Sequence, residues 1–239
     1  MLVLFAVVGL VVGSFIGAYT YRYPRKISIA RGRSFCPKCG KKIAWFDNLP
    51  VVSYLVLKGK CRHCGKKVSL RYPLIELGSG IGFVLLAPDL FLIFIFSVLL
   101  AIFVIDLETQ IIPDELVFLG LTTTLLVFLF QDFNFYANLL AGLGGASFLL
   151  LVNLLTRGRG MGLGDVKLAF WLGTFLGPVA TISWLTTAFW LGGILGIFLL
   201  LLGRAKLKQK IAFGPFLIIS FFVILKYGEV LRQWLNLAV

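Results

Sequence analysis

The run Leu90-Phe91-Leu92-Ile93-Phe94-Ile95-Phe96-Ser97-Val98-Leu99-Leu100-Ala101-Ile102-Phe103-Val104-Ile105 ends on Asp106 and leads through Leu107-Glu108-Thr109-Gln110-Ile111-Ile112-Pro113 to Asp114. Its apolar part approaches the roughly 20 residues that a membrane-spanning helix needs. A carboxylate at or near membrane depth costs several kcal/mol, so Asp106 marks a functional site by default. A second acid stands in similar surroundings, Asp165 in Gly162-Leu163-Gly164-Asp165-Val166-Lys167.

Working outward, the chain is 59% hydrophobic over 239 residues, with a mean hydropathy of +0.99. No soluble domain of this length tolerates that on its surface, so the composition predicts an all-α, polytopic membrane bundle. Apolar runs at 1–20, 74–88, 90–105, 115–130, 137–155, 166–180, 182–203 and 211–227 predict about eight spans, with Gly177-Pro178 blurring the boundary between the sixth and seventh. The expected organisation is a first transmembrane helix at 1–21, a basic loop domain at 22–73 and a helical bundle at 74–239. A basic n-region and a small-residue cleavage site are missing from the first run, so it is expected to stay as a span.

Charge sets the expected orientation. Of 23 Lys and Arg, 14 lie between Arg22 and Arg71, against Asp47 as the one acid there. The positive-inside rule puts that loop in the cytoplasm. An eight-span count adds Arg157 and Arg159, and the run Arg204, Lys206, Lys208 and Lys210, on the same side. Both singled-out aspartates then reach the cytoplasmic face.

The basic loop holds all four cysteines, as Cys36-Pro37-Lys38-Cys39-Gly40 and Cys61-Arg62-His63-Cys64-Gly65, with 21 residues between the knuckles. That spacing predicts a structural zinc site: each knuckle supplies two thiolates, and a glycine permits the turn behind the second. A reducing cytoplasm disfavours disulfides, and a polar segment of about 50 residues has too little core to fold without a staple. His63 is left out, since four cysteines complete the shell. The surrounding bases suit anionic lipid headgroups or an acidic or lipid-proximal substrate segment. Nucleic acid is not expected of a loop pinned to a membrane by spans on both sides.

The two aspartates differ in context. Asp165 precedes an apolar run and reads equally as an N-cap, as does Asp114 after Pro113. Asp106 falls at a helix C-terminus, where no capping role accounts for it. Two facing carboxyls that share one proton make the aspartic-protease arrangement. Helix-end electrostatics would favour an anionic Asp165 as base and a protonated Asp106 as acid. Gly162 and Gly164 allow close approach of a substrate strand, and Lys167, two residues beyond Asp165, is expected to touch a headgroup or a neighbouring carbonyl. Gly142-Leu143-Gly144-Gly145 reads as small-residue helix packing rather than a nucleotide loop.

At these residues the chain resembles the bacterial type IV prepilin peptidases, aspartic proteases of the GxGD class. The resemblance runs through Gly13-Ser14-Phe15, Tyr21-Arg22-Tyr23-Pro24, the two knuckles around Asn48-Leu49-Pro50-Val51-Val52-Ser53-Tyr54-Leu55, and Arg71-Tyr72-Pro73-Leu74-Ile75-Glu76. It continues through Asp106 with Ile112-Pro113-Asp114, the Gly-Leu-Gly-Asp motif ending at Asp165, and Phe213-Gly214-Pro215-Phe216-Leu217. Where the family usually reads Gly-Ser-Phe-Leu-Asn, this chain has Gly17 in place of the asparagine.

The resemblance implies a bacterial inner-membrane endopeptidase with Asp106 and Asp165 as the catalytic pair. Gly162, Gly164, Lys167, Pro113 and Asp114 would support them. The substrates implied are type IV prepilins or pseudopilins, cut after a glycine that ends a short basic leader. Transfer of a methyl group from S-adenosylmethionine to the new N-terminus is implied as well. That cofactor would sit between the zinc loop and the spans, with Glu76 as a contact. A peptidase without methyltransferase activity, a cation-coupled transporter and a non-enzymatic assembly platform are the alternatives. No internal repeat of the transporter kind is visible.

Overall fold

The structure, a computed structural model, describes residues 1–29, 33–130, 134–158, 160–203 and 212–234, with side chains as far as Gly228. Arg159 and the run Arg204, Lys206, Lys208 and Lys210, expected on the cytoplasmic side, lie outside these residues, as does Arg31. The described residues contain nine α-helices and no strand beyond two isolated bridges. They form two compact units, Met1–Ile105 and Asp106–Val239.

In the first unit, α1 (Leu2–Arg22) leads into the cysteine loop, which carries the five-residue α2 (Val52–Val56) and returns through α3 (Arg71–Leu86) to α4 (Leu90–Thr109), whose last four residues belong to the second unit. The pairing of α1 with α3 is antiparallel and built on small residues. A Cβ at Gly9 would lie 2.9 Å from the Cα of Gly80, and one at Gly13 only 2.7 Å from the Cα of Glu76. Glycine at these positions lets the two backbones meet, as in close-packed membrane helix pairs. Arg71, the first residue of α3, donates to the carbonyl of Gly17 (3.2 Å) and the hydroxyl of Thr20 (2.6 Å) at the C-terminal end of α1, where a cation suits the helix dipole.

The second unit holds α5 (Asp114–Leu129), α6 (Phe135–Leu155), α7 (Leu163–Leu176), α8 (Pro178–Leu201) and α9 (Gly214–Trp234). Small residues again set the packing: Gly173 of α7 lies against Gly142 of α6, where a Cβ would stand 3.0 Å from the Cα of Gly142. The Trp171 indole fills the slot left by Gly120 and donates to Thr124 (3.0 Å), so its buried N–H is satisfied. Trp184 of α8 likewise donates to the carbonyl of Leu217 in α9 (2.7 Å).

Among the described residues, four helices are long and apolar enough to cross a membrane: Leu2–Arg25, Leu90–Thr109, Phe135–Leu155 and Pro178–Leu201. Each of the eight apolar runs coincides with a helix, and four of these reach that length and hydropathy among the described residues. With 16, 16 and 14 residues, α3, α5 and α7 reach roughly 21 to 24 Å, short of a hydrocarbon core of about 30 Å. The boundary at 177–178 is sharper than the apolar pattern suggested. Gly177 takes φ +77° and Pro178, which has no N–H to lose, begins α8.

Candidate active site

Both aspartates belong to the second unit and both are buried. Asp106, in the last turn of α4, is 4% exposed and Asp165, in the first turn of α7, is 8% exposed. They stand within Coulombic range of one another. A third segment closes the site: Gly214, the first residue of α9, packs so tightly that a Cβ there would lie 2.6 Å from Oδ2 of Asp106 and 3.2 Å from Ile112. The side chain of Ile112 is therefore wedged between two glycines, since a Cβ on Gly164 would meet its own Cβ at 2.9 Å. Ile112 reaches this place because Gln110, directly after α4, adopts φ +55° and turns the chain back.

The local roles differ from the expected ones. Asp165 is not an N-cap. Gly162 holds that position, and Asp165, three residues on, accepts the N–H of Gly162 at 3.0 Å. Glycine has no side chain to return the bond, so only half of a capping box exists. Nor does Asp114 cap α5. Pro113 is the N-cap, with no side-chain cap bond, and Asp114 binds Nζ of Lys167 through both oxygens at 2.8 and 2.7 Å. Lys167 therefore meets an acid rather than a headgroup or a carbonyl. This pair clamps the N-terminus of α7 to that of α5, on the flank of the two catalytic candidates. The carboxylate of Asp106 is buried against the backbone N–H of Gly214.

Sequence reasoning missed Gly214 and Ile112 as parts of this site. Both belong to motifs that carried the family resemblance, yet their contribution is shape, which no charge or ligand pattern announces.

In the first unit, the four cysteine sulfurs lie within 4.8 Å of one another, with Cys36 and Cys64 at 4.0 Å. A tetrahedral ion with Zn–S bonds of about 2.3 Å needs sulfurs about 3.8 Å apart, so the donor set fits zinc. The knuckles are built alike. Cys36 donates its N–H to Lys41 and Cys61 to Lys66, both at 2.9 Å, and the antiparallel bridges Phe35–Lys42 and Lys60–Lys67 close the two turns. Gly40 and Gly65 take φ of +70° and +66°, which glycine adopts freely. The backbone N–H groups of Cys64 and His63 draw the Cys61 thiol down to about 7, while burial and the neighbouring sulfurs push that of Cys64 up to about 11. His63 is not part of the sulfur cluster.

Arg62, between the ligands of the second knuckle, grips Asp47 with both Nε and a terminal nitrogen, and that contact holds the Asp47 carboxyl below its usual range. A cavity of about 180 Å³ lies between this loop and helices α1 and α3, bordered by Ser14, Tyr21, Tyr54, Tyr72 and Glu76. Glu76 is buried and accepts the N–H of Val51 at 2.8 Å.

A bundle of apolar helices that buries two aspartates in one neighbourhood is the construction of an intramembrane aspartic peptidase. Comparison with known proteins agrees. Residues 7–90 match the bacterial peptidase A24 N-terminal domain, and residues 93–197 match the type IV leader peptidase family. Three proteins named prepilin leader peptidase/N-methyltransferase are among its relatives. That of Vibrio cholerae is 34% identical, over 93% of this chain and 95% of the relative. That of Neisseria gonorrhoeae is 34% identical, over 97% and 92%, and that of Pseudomonas aeruginosa 32%, over 96% and 92%. The chain belongs to the type IV leader peptidase family. No solved structure matches it significantly. The transporter alternative finds no support in these relatives.

Proposed function

We propose that this chain is a membrane aspartic endopeptidase that removes the short basic leader of type IV prepilins or pseudopilins after glycine and N-methylates the new N-terminus. The observation that carries the peptidase half is the convergence of buried Asp106 and Asp165 around Ile112, with Gly164 and Gly214 packed on either side. The ionised Asp165 takes a proton from water as the water oxygen attacks the scissile carbonyl, and the protonated Asp106 donates to the carbonyl oxygen. Collapse of the tetrahedral adduct breaks the C–N bond, and the amine leaves with a proton from the pair. The N–H of Gly162 holds Asp165 in place for this, and the Lys167–Asp114 pair fixes the helix ends beside it.

Cys36, Cys39, Cys61 and Cys64 would hold zinc, which would supply the cross-link that orders the loop. S-adenosylmethionine, the methyl donor, supplies a methyl group. Glu76 would offer its buried carboxylate to the positive charge of that cofactor, and Tyr21, Tyr54 and Tyr72 their rings. The basic loop and the aspartates lie on the cytoplasmic side of the inner membrane in this reading, as the charge distribution supports.

The test is full-length protein in detergent with a synthetic prepilin, with and without S-adenosylmethionine, read by mass for leader removal and a one-methyl increment. Asp106→Asn and Asp165→Asn should each lower cleavage by about 10³-fold or more with an unchanged unfolding temperature. Cleavage retained in Asp106→Asn but lost in Asp165→Asn would sink the shared dyad, and cleavage without methylation would remove the second activity.

A further inference from the structure

The cysteine loop carries a surface that neither zinc binding nor the cavity uses. Trp45 is 74% exposed, Leu55 68% and Val56 69%, and Phe46 and Val52 are exposed with them. These residues share one short stretch, from the 3₁₀ turn Trp45–Asn48 through α2. Their neighbours face the other way: the hydroxyl of buried Ser53 donates to the carbonyl of Phe46, and Val51 and Tyr54 line the cavity. The stretch is therefore two-faced, with its apolar side outward.

Its depth is set by a hydrogen bond. Val51, at φ +60°, an unusual conformation for a β-branched residue, turns its N–H onto Glu76. Glu76 lies five residues into α3 from Arg71, about 7.5 Å along the helix axis. Ser14, which also hydrogen-bonds this carboxylate, lies eight residues before the end of α1, about 12 Å from it. At the same level Leu74 and Leu77 of α3 point outward. The loop's apolar face is thus held at the level where the helices carrying it present apolar side chains to their surroundings. Water at that level would face these exposed apolar side chains. The exposed lysines of the loop, among them Lys41, Lys42, Lys58, Lys60, Lys66 and Lys67, complement an anionic surface.

We infer that residues 45–56 form an interfacial membrane anchor. Trp45, Val52, Leu55 and Val56 enter the boundary between headgroups and acyl chains, and the loop's lysines engage anionic headgroups. Trp at such a boundary keeps its ring in the apolar layer and its N–H at the polar edge. The anchor holds the cavity wall formed by Val51 and Tyr54 against the bilayer whatever substrate the chain takes.

Tryptophan fluorescence of the full chain reconstituted in vesicles of phosphatidylcholine and phosphatidylglycerol tests this, with the Trp45 contribution isolated as the difference from Trp45→Phe. Lipids brominated close to the headgroup should quench that difference by about twofold or more, and aqueous acrylamide should have little effect. The double variant Leu55→Glu with Val56→Glu should keep its zinc yet be cut by trypsin at Lys58 and Lys60 about fivefold faster in the same vesicles. Quenching by acrylamide but not by brominated lipid would overturn the inference. So would protection of Trp45 that appears only when a prepilin peptide is added, because the surface would then belong to the substrate.

Discussion

Gly214 matters for what it lacks. Its backbone abuts the carboxylate of Asp106, and a methyl group there must displace either the aspartate or Ile112. Gly214→Ala is expected to lower prepilin cleavage by about 10²-fold, since a shift of about 1 Å at a reacting group costs that much. Gly144→Ala, where a Cβ meets nothing within 4 Å, should leave it unchanged. Initial rates for the two variants side by side check this. The Lys167–Asp114 pair is about half exposed at both ends, so Lys167→Met should cost less than about 1 kcal/mol of unfolding free energy. A larger drop in cleavage than in stability would mark Lys167 as a positioning residue. At this scale the two aspartates were legible because charge in apolar sequence is conspicuous. Gly214 and Ile112 were not, because they act through packing between segments far apart in the chain.

The pairing of α1 with α3 follows from three glycines spaced four apart, Gly9, Gly13 and Gly17, which fall on one helix face. Of the three, Gly13 is the most crowded, and its neighbour is the backbone of Glu76, which cannot swing aside. Gly13→Ala should therefore destabilise by about 1–3 kcal/mol, measured by thermal unfolding in detergent. Gly78→Ala has open space around it and removes a glycine from a helix interior, so it should be neutral or stabilise by up to about 1 kcal/mol. Helix positions were legible from apolar runs to within a few residues. Which glycine faces a partner was not, since every glycine in an apolar run looks the same until the partner's register is known. That the N-cap alternative for Asp165 stayed open has a similar cause: the helix begins two residues before it, at Leu163, and a Gly-Leu-Gly stretch offers no polar side chain to mark that start.

Across the whole chain the chemistry divides between two compact units, with the sulfur cluster and the cavity in one and the aspartates in the other. A metal that orders only its own loop gives a specific expectation. Cys36→Ser with Cys39→Ser, or removal of zinc by a strong chelator, should speed trypsin cleavage at Lys58, Lys60, Lys66 and Lys67 by unfolding the backbone around them, and abolish stoichiometric zinc. The unfolding transition of the aspartate-bearing unit should stay where it is. Limited proteolysis, metal analysis and calorimetry on the same sample distinguish this from unfolding of the entire chain. Membrane character was plain from composition. Helix lengths were not, because an apolar run shows that a segment avoids water, whereas caps and turns decide where the helix it forms begins and ends.

The order of the motifs, the four-cysteine pattern, the apolar class of the chain and the identity of its two conspicuous acids were determined by the sequence alone, because each is a matter of residue type and local spacing. The tertiary structure decided that Gly162, Gly164 and Gly214 leave room around the acids, that Lys167 pairs with Asp114, and that Val51 ties the loop to Glu76. Each of these depends on a contact between distant segments. Asp106 and Asp165 become a candidate pair only when three helix ends close on Ile112, and no local pattern records that closure.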